Sequence, residues 1–424
     1  MRSSAIAGLG GALAMLAGTA WSAHAGGIAR PNPISARSVG IGGAFSAIAD
    51  DPTALHFNPA GLALLPGLDI MVGGEFVKAP RTYTPKSAFC DTNPGDASCQ
   101  PQSPTAPIRP LPTMGFATRL HDEGVPSRVA FGVGFWNSFG GQLYYKDNLP
   151  GTIKSTRNAV LEVVPGIGYQ VDDVLAIGAA FRLGIGLFDS QVSQRPQDAE
   201  LSASGVGAGG TLGVMVTPRD ALRIGAYYRT SLTVTTNGSG VVHQASGDLD
   251  VNIEFQQKWP QQAGLALAFR PIDKLTLAGQ FDWDGWSIVN EIKPTFKGNP
   301  SLTEQAAIPT DWQDSYQVHL GAQYAVSDSF ELRGGWTYDS MAVTKRLMER
   351  EFLDGNSMFF AVGASVRFLQ NWRVDTAFEI GPGGTTTVPD NSADVMGWPA
   401  RANVSPGDHS GELYTLELAL QYLY

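Results

Sequence analysis

From about residue 69 to its last residue the chain places bulky apolar side chains at every second position. In VLAIGAAFRLGIGLF, residues 174–188, Leu175, Ile177, Phe181, Leu183, Ile185 and Leu187 are bulky, and Gly178, Ala180, Arg182 and Gly184 lie between them. A strand of that kind has one face that wants hydrocarbon and one that is small or polar. In LTLAGQFDWDGW, residues 275–286, Leu275, Leu277, Phe281 and Trp283 alternate with Thr276, Gln280, Asp282 and Asp284. A charged second face is costly in any two-layer soluble core and acceptable against a water-filled lumen. The same alternation runs through Tyr316, Val318, Leu320, Ala322 and Tyr324, and through Phe330, Leu332, Trp336 and Tyr338. The end, YTLELALQYLY, puts Tyr414, Leu416, Leu418, Leu420, Tyr422 and Tyr424 on one face.

Tight turns near Val171–Asp173, Thr217–Asp220, Pro271–Asp273, Val326–Asp328 and Leu369–Asn371 alternate with much longer connections. Short turns at one end and long loops at the other are the signature of a transmembrane β-barrel. Fifteen alternating segments are found, among them 127–137, 203–217 and 221–235. Single-chain bacterial barrels have even strand numbers. The weakest separator is Trp259-Pro260, and merging its neighbours into one strand predicts an all-β barrel of about fourteen antiparallel strands. Proline is tolerable there as an interruption at the edge of the membrane.

The chain before residue 69 follows another pattern. Residues 1–25 carry Arg2, an apolar run and Ala23-His24-Ala25, which predict a cleaved signal peptide and export. In IADDPTALHFNPAG, residues 48–61, Asp51-Pro52 predicts an N-cap with proline at the first helical position, and Asn58-Pro59 predicts a stop. Helices that short do not hold in water, so something larger must support them.

Net charge is −10, and no basic stripe appears, which excludes a nucleic-acid partner. Fifty glycines and only 16% charged residues suit strands and turns. The two cysteines, Cys90 and Cys99, lie in a Pro-, Thr- and Ser-rich stretch, and export to an oxidising compartment predicts a loop disulfide. No metal-ligand cluster, cofactor motif or nucleophile motif is found; GVGAGG at 205–210 lies in a strand-rich hairpin with no helix after it, and neither catalysis nor a cofactor is expected.

Several separated stretches, in order, resemble the outer-membrane transporters of long-chain fatty acids and other hydrophobic compounds, the FadL and TodX group. These are Ser38-Val39-Gly40 leading into Gly43-Ala44-Phe45, Ala49-Asp50-Asp51, Asn58-Pro59-Ala60, PGIGYQVDD at 165–173, DWDGWS at 282–287 and DWQDSYQVHLGAQY at 311–324. The resemblance implies that residues 26–67 form a hatch inside a barrel of residues 68–424. It implies a hatch motif of Asp50, Asp51, Asn58, Pro59 and Ala60, and a third strand kinked inward to open the wall. Gly132 and Gly134 are the expected bend, and Phe45, Phe57 and Phe139 the expected substrate path. The expected function is passive uptake of long-chain fatty acids or aromatic or aliphatic hydrocarbons by a monomer in a Gram-negative outer membrane. Its partners would be the hydrophobic ligand, outer-membrane lipid and lipopolysaccharide, and the barrel assembly machinery through the Tyr424 strand. A general polar-solute porin is the alternative, and it would need no plug. The family's fatty-acid members hold the carboxylate with basic lumen residues; Arg182, Arg223, Arg229 and Arg333 have inward parity here, but none falls on a matching motif.

Overall fold

A computed structural model of the protein describes residues 34–105, 108–122, 125–146, 152–193, 198–244, 246–389 and 405–424. The signal peptide expected at 1–25 and the first residues of the expected hatch lie outside the described residues.

Fourteen wall strands follow one another in chain order: β1 (Leu68–Lys78), β2 (Arg109–Asp122), β3 (Val125–Tyr144), β4 (Thr152–Gln170), β5 (Leu175–Ser193), β6 (Asp198–Arg219), β7 (Leu222–Arg229 and Leu232–Gln244), β8 (Gly247–Trp259 and Gln262–Ile272), β9 (Leu275–Asp284), β10 (Ser315–Ser327), β11 (Phe330–Asp339), β12 (Ser357–Phe368), β13 (Trp372–Val388) and β14 (Gly407–Leu423). Both halves of β7 pair with β6, and the two halves of β8 pair with the two halves of β7. The interruption at Pro260 therefore lies within one strand, as its sequence predicts. β14 pairs with β13 and with β1, which closes the barrel. Closure removes the sheet edges that lipid could not satisfy.

The wall is apolar outside and polar inside. Leu265 and Val362 are 60% and 61% exposed, whereas Asp282 and Glu417 are 6% and 1% exposed. A water-soluble core inverts neither relation, and a hydrocarbon solvent around the barrel accounts for both. Strands at the long-loop end outrun their sequence pattern: β6 begins at Asp198 and β7 continues to Gln244. Beyond the apolar band the alternation in hydropathy ends, but neighbouring strands still offer hydrogen-bond partners. Among the described residues no helix is long and apolar enough to cross a membrane.

Two long loops fold over the mouth. The one between β9 and β10 contains a short helix (Pro300–Ala306), and the one between β11 and β12 contains two 3-10 turns (Lys345–Leu347 and Arg350–Phe352). Cys90 and Cys99 are joined by a disulfide in the first long loop, with Cα atoms 5.4 Å apart.

Candidate functional site

Residues 34–65 run inside the barrel as three short helical pieces: α1 (Ala36–Gly40), α2 (Ala54–Phe57) and a 3-10 helix (Pro59–Leu64). Ser35 caps α1 by accepting from Ser38 N. Asp51 accepts from Thr53 N at 2.9 Å, so it caps the turn before α2 and the helix itself starts after Thr53, two residues later than the sequence predicts. Asn58, in extended conformation, ends α2 and caps the 3-10 helix through Ala60 N, with Pro59 at its first position. Asn58-Pro59 is thus a stop and a start at once.

What supports these pieces is a belt of wall positions with little or no side chain. Cross-strand register aligns Ala130, Gly168, Gly178 and Gly213 across β3 to β6. It aligns Ala268, Ala278, Gly321, Gly335 and Ala361 across β8 to β12. A Cβ on Gly178 would overlap the Pro59 carbonyl and Ala60 N, and one on Gly335 would overlap the backbone of Ile41 and Gly42. Backbone lies against backbone, an approach open only to glycine. Between these contacts Leu55, Leu62 and Ala63 pack on Ala117, Ala130, Val164 and Met215, and Ile41, Phe45 and Ile48 on Ala266, Ala268 and Ala278. Alternation made these wall positions visible as a small face; their alignment into a belt depends on register, which the sequence does not display.

A few polar bonds fix the segment in this smooth seat. Asn58 Nδ2 donates to the carbonyls of Ser46 and of wall residue Val214, each at 3.0 Å, and Asn58 Oδ1 accepts from Ala60 N at 3.2 Å. The carbonyl of Gly42 accepts from Thr337 Oγ1 at 2.7 Å and lies 2.7 Å from His319 Nδ1. Arg229 donates to the carbonyl of His56. Within the segment, Arg37 pairs with Asp50 at 2.6 Å and Asp51 at 3.1 Å. Partial burial would raise the Asp50 carboxyl, but the Arg37 guanidinium beside it outweighs that and holds it at about 2. Burial, together with Arg229 and Arg182, pushes the His56 imidazole well below its ordinary value. Arg37 was not expected from sequence; an arginine thirteen residues before Asp50 and fourteen before Asp51 gives no local signal. Asn58→Val removes three bonds at a buried site, at a cost of about 2–4 kcal/mol, and should expose residues 34–65 to protease in barrels that still assemble. Unchanged protection would show that this side chain does not hold the segment.

The wall changes character at β3. Pairing of β2 with β3 stops at Met114 opposite Phe135, although both strands continue toward the long-loop end. There β2 pairs only with β1 as far as Arg109, and β3 pairs only with β4 as far as Tyr144. Thr105 rejoins Tyr144 in an isolated bridge, which bounds the gap. Arg119 N donates toward the β1 side, to Gly67 O, so strand alternation turns Pro110 and Pro112 toward the gap. Proline lacks the N–H that an unpaired edge would leave unsatisfied. Across the gap Trp136, Asn137, Ser138 and Phe139 are all buried, so the period of two is lost and the strand turns into the lumen. An extra residue at Ser138 breaks the register with β4, and Gly140 follows at φ +99°. Gly132 and Gly134 lie before this point, in the regularly paired part of β3; the irregularity falls at 137–140.

Phe139 enters an aromatic bowl under the two long loops. It stacks on Trp259 at 5.4 Å between ring centroids and meets Trp286 edge-on at 5.7 Å; Trp286 in turn contacts Trp312 at 5.2 Å. Val160, Leu232, Val234, Met348, Phe352 and Leu353 complete the bowl. Phe45 and Phe57 meet edge-on at 5.3 Å farther down, on the N-terminal segment, so the structure does not join them to Phe139 in one cluster. Phe57 instead lines a polar cavity of about 70 Å³ between the segment and β7–β10, along with Arg229, Asp282 and His319. A cavity of that size and polarity holds a few waters.

The four arginines of inward parity are already engaged or do not share one site. Arg182 is locked to Glu162 by two 2.7 Å bonds; Arg229, near enough that both act on Glu162 and His56, donates to Gln262 and to the His56 carbonyl; Arg333 is held by Glu331 and Ser365; and Arg223 is half-buried.

A closed barrel of fourteen antiparallel strands, apolar outside, polar inside and filled at one end by its own N-terminal segment, defines an outer-membrane channel protein. The chain belongs to the family described as outer membrane protein transport protein (OMPP1/FadL/TodX), whose model matches residues 16–405. Over 398 residues it is 23% identical to outer membrane protein P1 of Haemophilus influenzae, covering 80% of this chain and 83% of that one. Over 159 residues it is 28% identical to alkane uptake protein A of Marinobacter nauticus, covering 33% and 34%. The match to a Neisseria meningitidis outer membrane protein spans less than half of that protein, 46%. Among solved structures, a Pseudomonas aeruginosa FadL homologue superposes with a TM-score of 0.76 at 14% identity, over 95% of this chain and 99% of that one. The Pseudomonas putida toluene transporter TodX superposes with 0.70 at 16% identity, over 91% and 97%. The family consists of outer-membrane transporters and channels for hydrophobic compounds.

Proposed function

We propose that the protein takes up long-chain fatty acids or aromatic or aliphatic hydrocarbons passively, with residues 26–67 acting as a hatch and the wall gap as the exit. The interrupted pairing between β2 and β3 carries this reading, because both strands continue past Met114 and Phe135 without bonding to each other. A polar-solute porin has no use for a hole facing lipid. The long loops capture the cargo, the aromatic bowl holds it, and the kinked β3 leads from Phe139 to the gap. The name of the Marinobacter relative, an alkane uptake protein, agrees with this class of cargo. The C-terminal strand, ending in the exposed Tyr424, is offered to the barrel assembly machinery.

The test compares cells with and without the protein for growth on, and uptake of, labelled hydrocarbons and fatty acids, and measures sugar permeation in vesicles. Faster hydrophobic uptake with little sugar permeation is expected. Rapid sugar permeation with no gain in hydrophobic uptake would establish the porin instead.

A further inference from the structure

Three tryptophans along the proposed route keep their indole N–H groups unpaired: Trp286, Trp259 and Trp136. They are 1%, 3% and 1% exposed, so bulk water does not serve them. Buried indole donors ordinarily find an acceptor, and a donor left without one is a standing cost to the fold. Trp286 and Trp259 lie 6.4 Å apart between ring centroids, and both contact Phe139. Trp136 stands three residues before Phe139, where β3 leaves β2, and its ring meets His56 of the N-terminal segment edge-on at 5.8 Å. The unpaired donors therefore follow the path from bowl to gap.

Positive charge along it is already engaged. The bowl's apolar side chains are flanked instead by a buried carboxylate: Asp354, 3% exposed, accepts from Ala342 N and Val343 N. On the wall Arg182 is closed on Glu162, and Arg350 of the covering loop is engaged by Glu351 and lies 3.9 Å over the ring of Tyr145. A carboxylate would carry full charge into this bowl without a counter-ion. A bare hydrocarbon would leave every indole N–H as it is.

We infer that the preferred cargo is a neutral molecule with an apolar body and one hydrogen-bond-accepting oxygen, such as a ketone, ester or ether, received in turn by Trp286, Trp259 and Trp136. This inference rests on the uptake reading and sharpens its substrate class.

The experiment measures equilibrium binding of two matched sets to the purified full-length protein: decane, methyl octyl ketone and decanoate, and ethylbenzene, acetophenone and benzoate. In the set that binds, the ketone should bind about fivefold to tenfold more tightly than its hydrocarbon, and more tightly than its carboxylate. Trp286→Phe and Trp259→Phe keep an aromatic ring and remove the N–H; each should shrink the ratio of ketone to hydrocarbon affinity, whatever the smaller ring does to both. Trp312→Phe, a ring change in the same bowl whose N–H is not among the unpaired donors, should leave the preference intact. Equal binding of ketone and hydrocarbon, tightest binding of the carboxylate, or a ketone preference that survives Trp259→Phe combined with Trp286→Phe would overturn the inference. If hydrocarbons bind and are taken up without a ketone advantage, only this inference falls. If no probe binds or is taken up, the uptake reading falls with it.

Discussion

Gly178→Val is expected to convert a barrel of small conductance in planar bilayers into one that conducts steadily. The new side chain would begin inside the Pro59 carbonyl and Ala60 N. Both are backbone atoms, so no rotamer relieves the clash; either the wall bulges or the N-terminal segment leaves its seat. The wall is tied on both sides, by Gly168 on β4 and Gly213 on β6. The segment is tied by only a few polar bonds, so the segment moves. Overpacking of this kind costs about 1–3 kcal/mol, comparable with what those bonds contribute net. Gly334→Val is the control, because nothing lies within 4 Å of a Cβ placed there. Wild-type conductance in Gly178→Val would mean that the segment does not close the lumen.

Deleting Ser138 should abolish hydrophobic uptake while leaving cargo binding near its wild-type level. Ser138 is the residue that puts β3 out of register with β4. Without it the strand can continue its alternation past Asn137 and lie alongside β2, narrowing the gap above Met114 even though Pro110 and Pro112 can accept but not donate there. Cargo held in the bowl would then have to leave through water. For a molecule with ~200 Å² of apolar surface, re-exposure costs about 5 kcal/mol at about 25 cal/mol per Å², or between three and four orders of magnitude in rate. Binding measured on purified protein separates exit from capture. Undiminished uptake would remove the β2–β3 gap from the route.

The barrel was legible because a membrane imposes the same demand on every strand. Leu175 to Leu187, or Tyr316 to Tyr324, face one solvent throughout, and a period of two suffices to see it. Even the single strand hidden by Pro260 followed from parity of number. The site was less legible for three physical reasons. The belt under the N-terminal segment is made of missing side chains, and Gly178 matters only because Gly168 and Gly213 lie beside it in register. The gap is made of missing hydrogen bonds, and its sequence marks, Pro110, Pro112 and Gly140, are scattered over two strands, while Gly132 sits in ordinary pairing and Gly134, though paired, leaves the space that the Trp136 ring occupies. The bowl draws Phe139, Trp259, Trp286, Trp312 and Phe352 from two wall strands and two loops, so no stretch of sequence contains it.

The small-residue belt also bears on how the protein is made. Its parts are supplied by β3 through β12, and Gly40 finally rests against Gly363. The N-terminal segment is synthesised first, yet its seat is complete only when nearly the whole wall exists. Contacts so distant in sequence form late in folding. An assembly order in which the wall forms before the segment is seated follows from this, with a stage in which the bore is vacant. If the segment closes the lumen as proposed, how quickly it finds the belt sets how long each new copy leaks, and plugging speed, not stability alone, is a quantity on which selection can act.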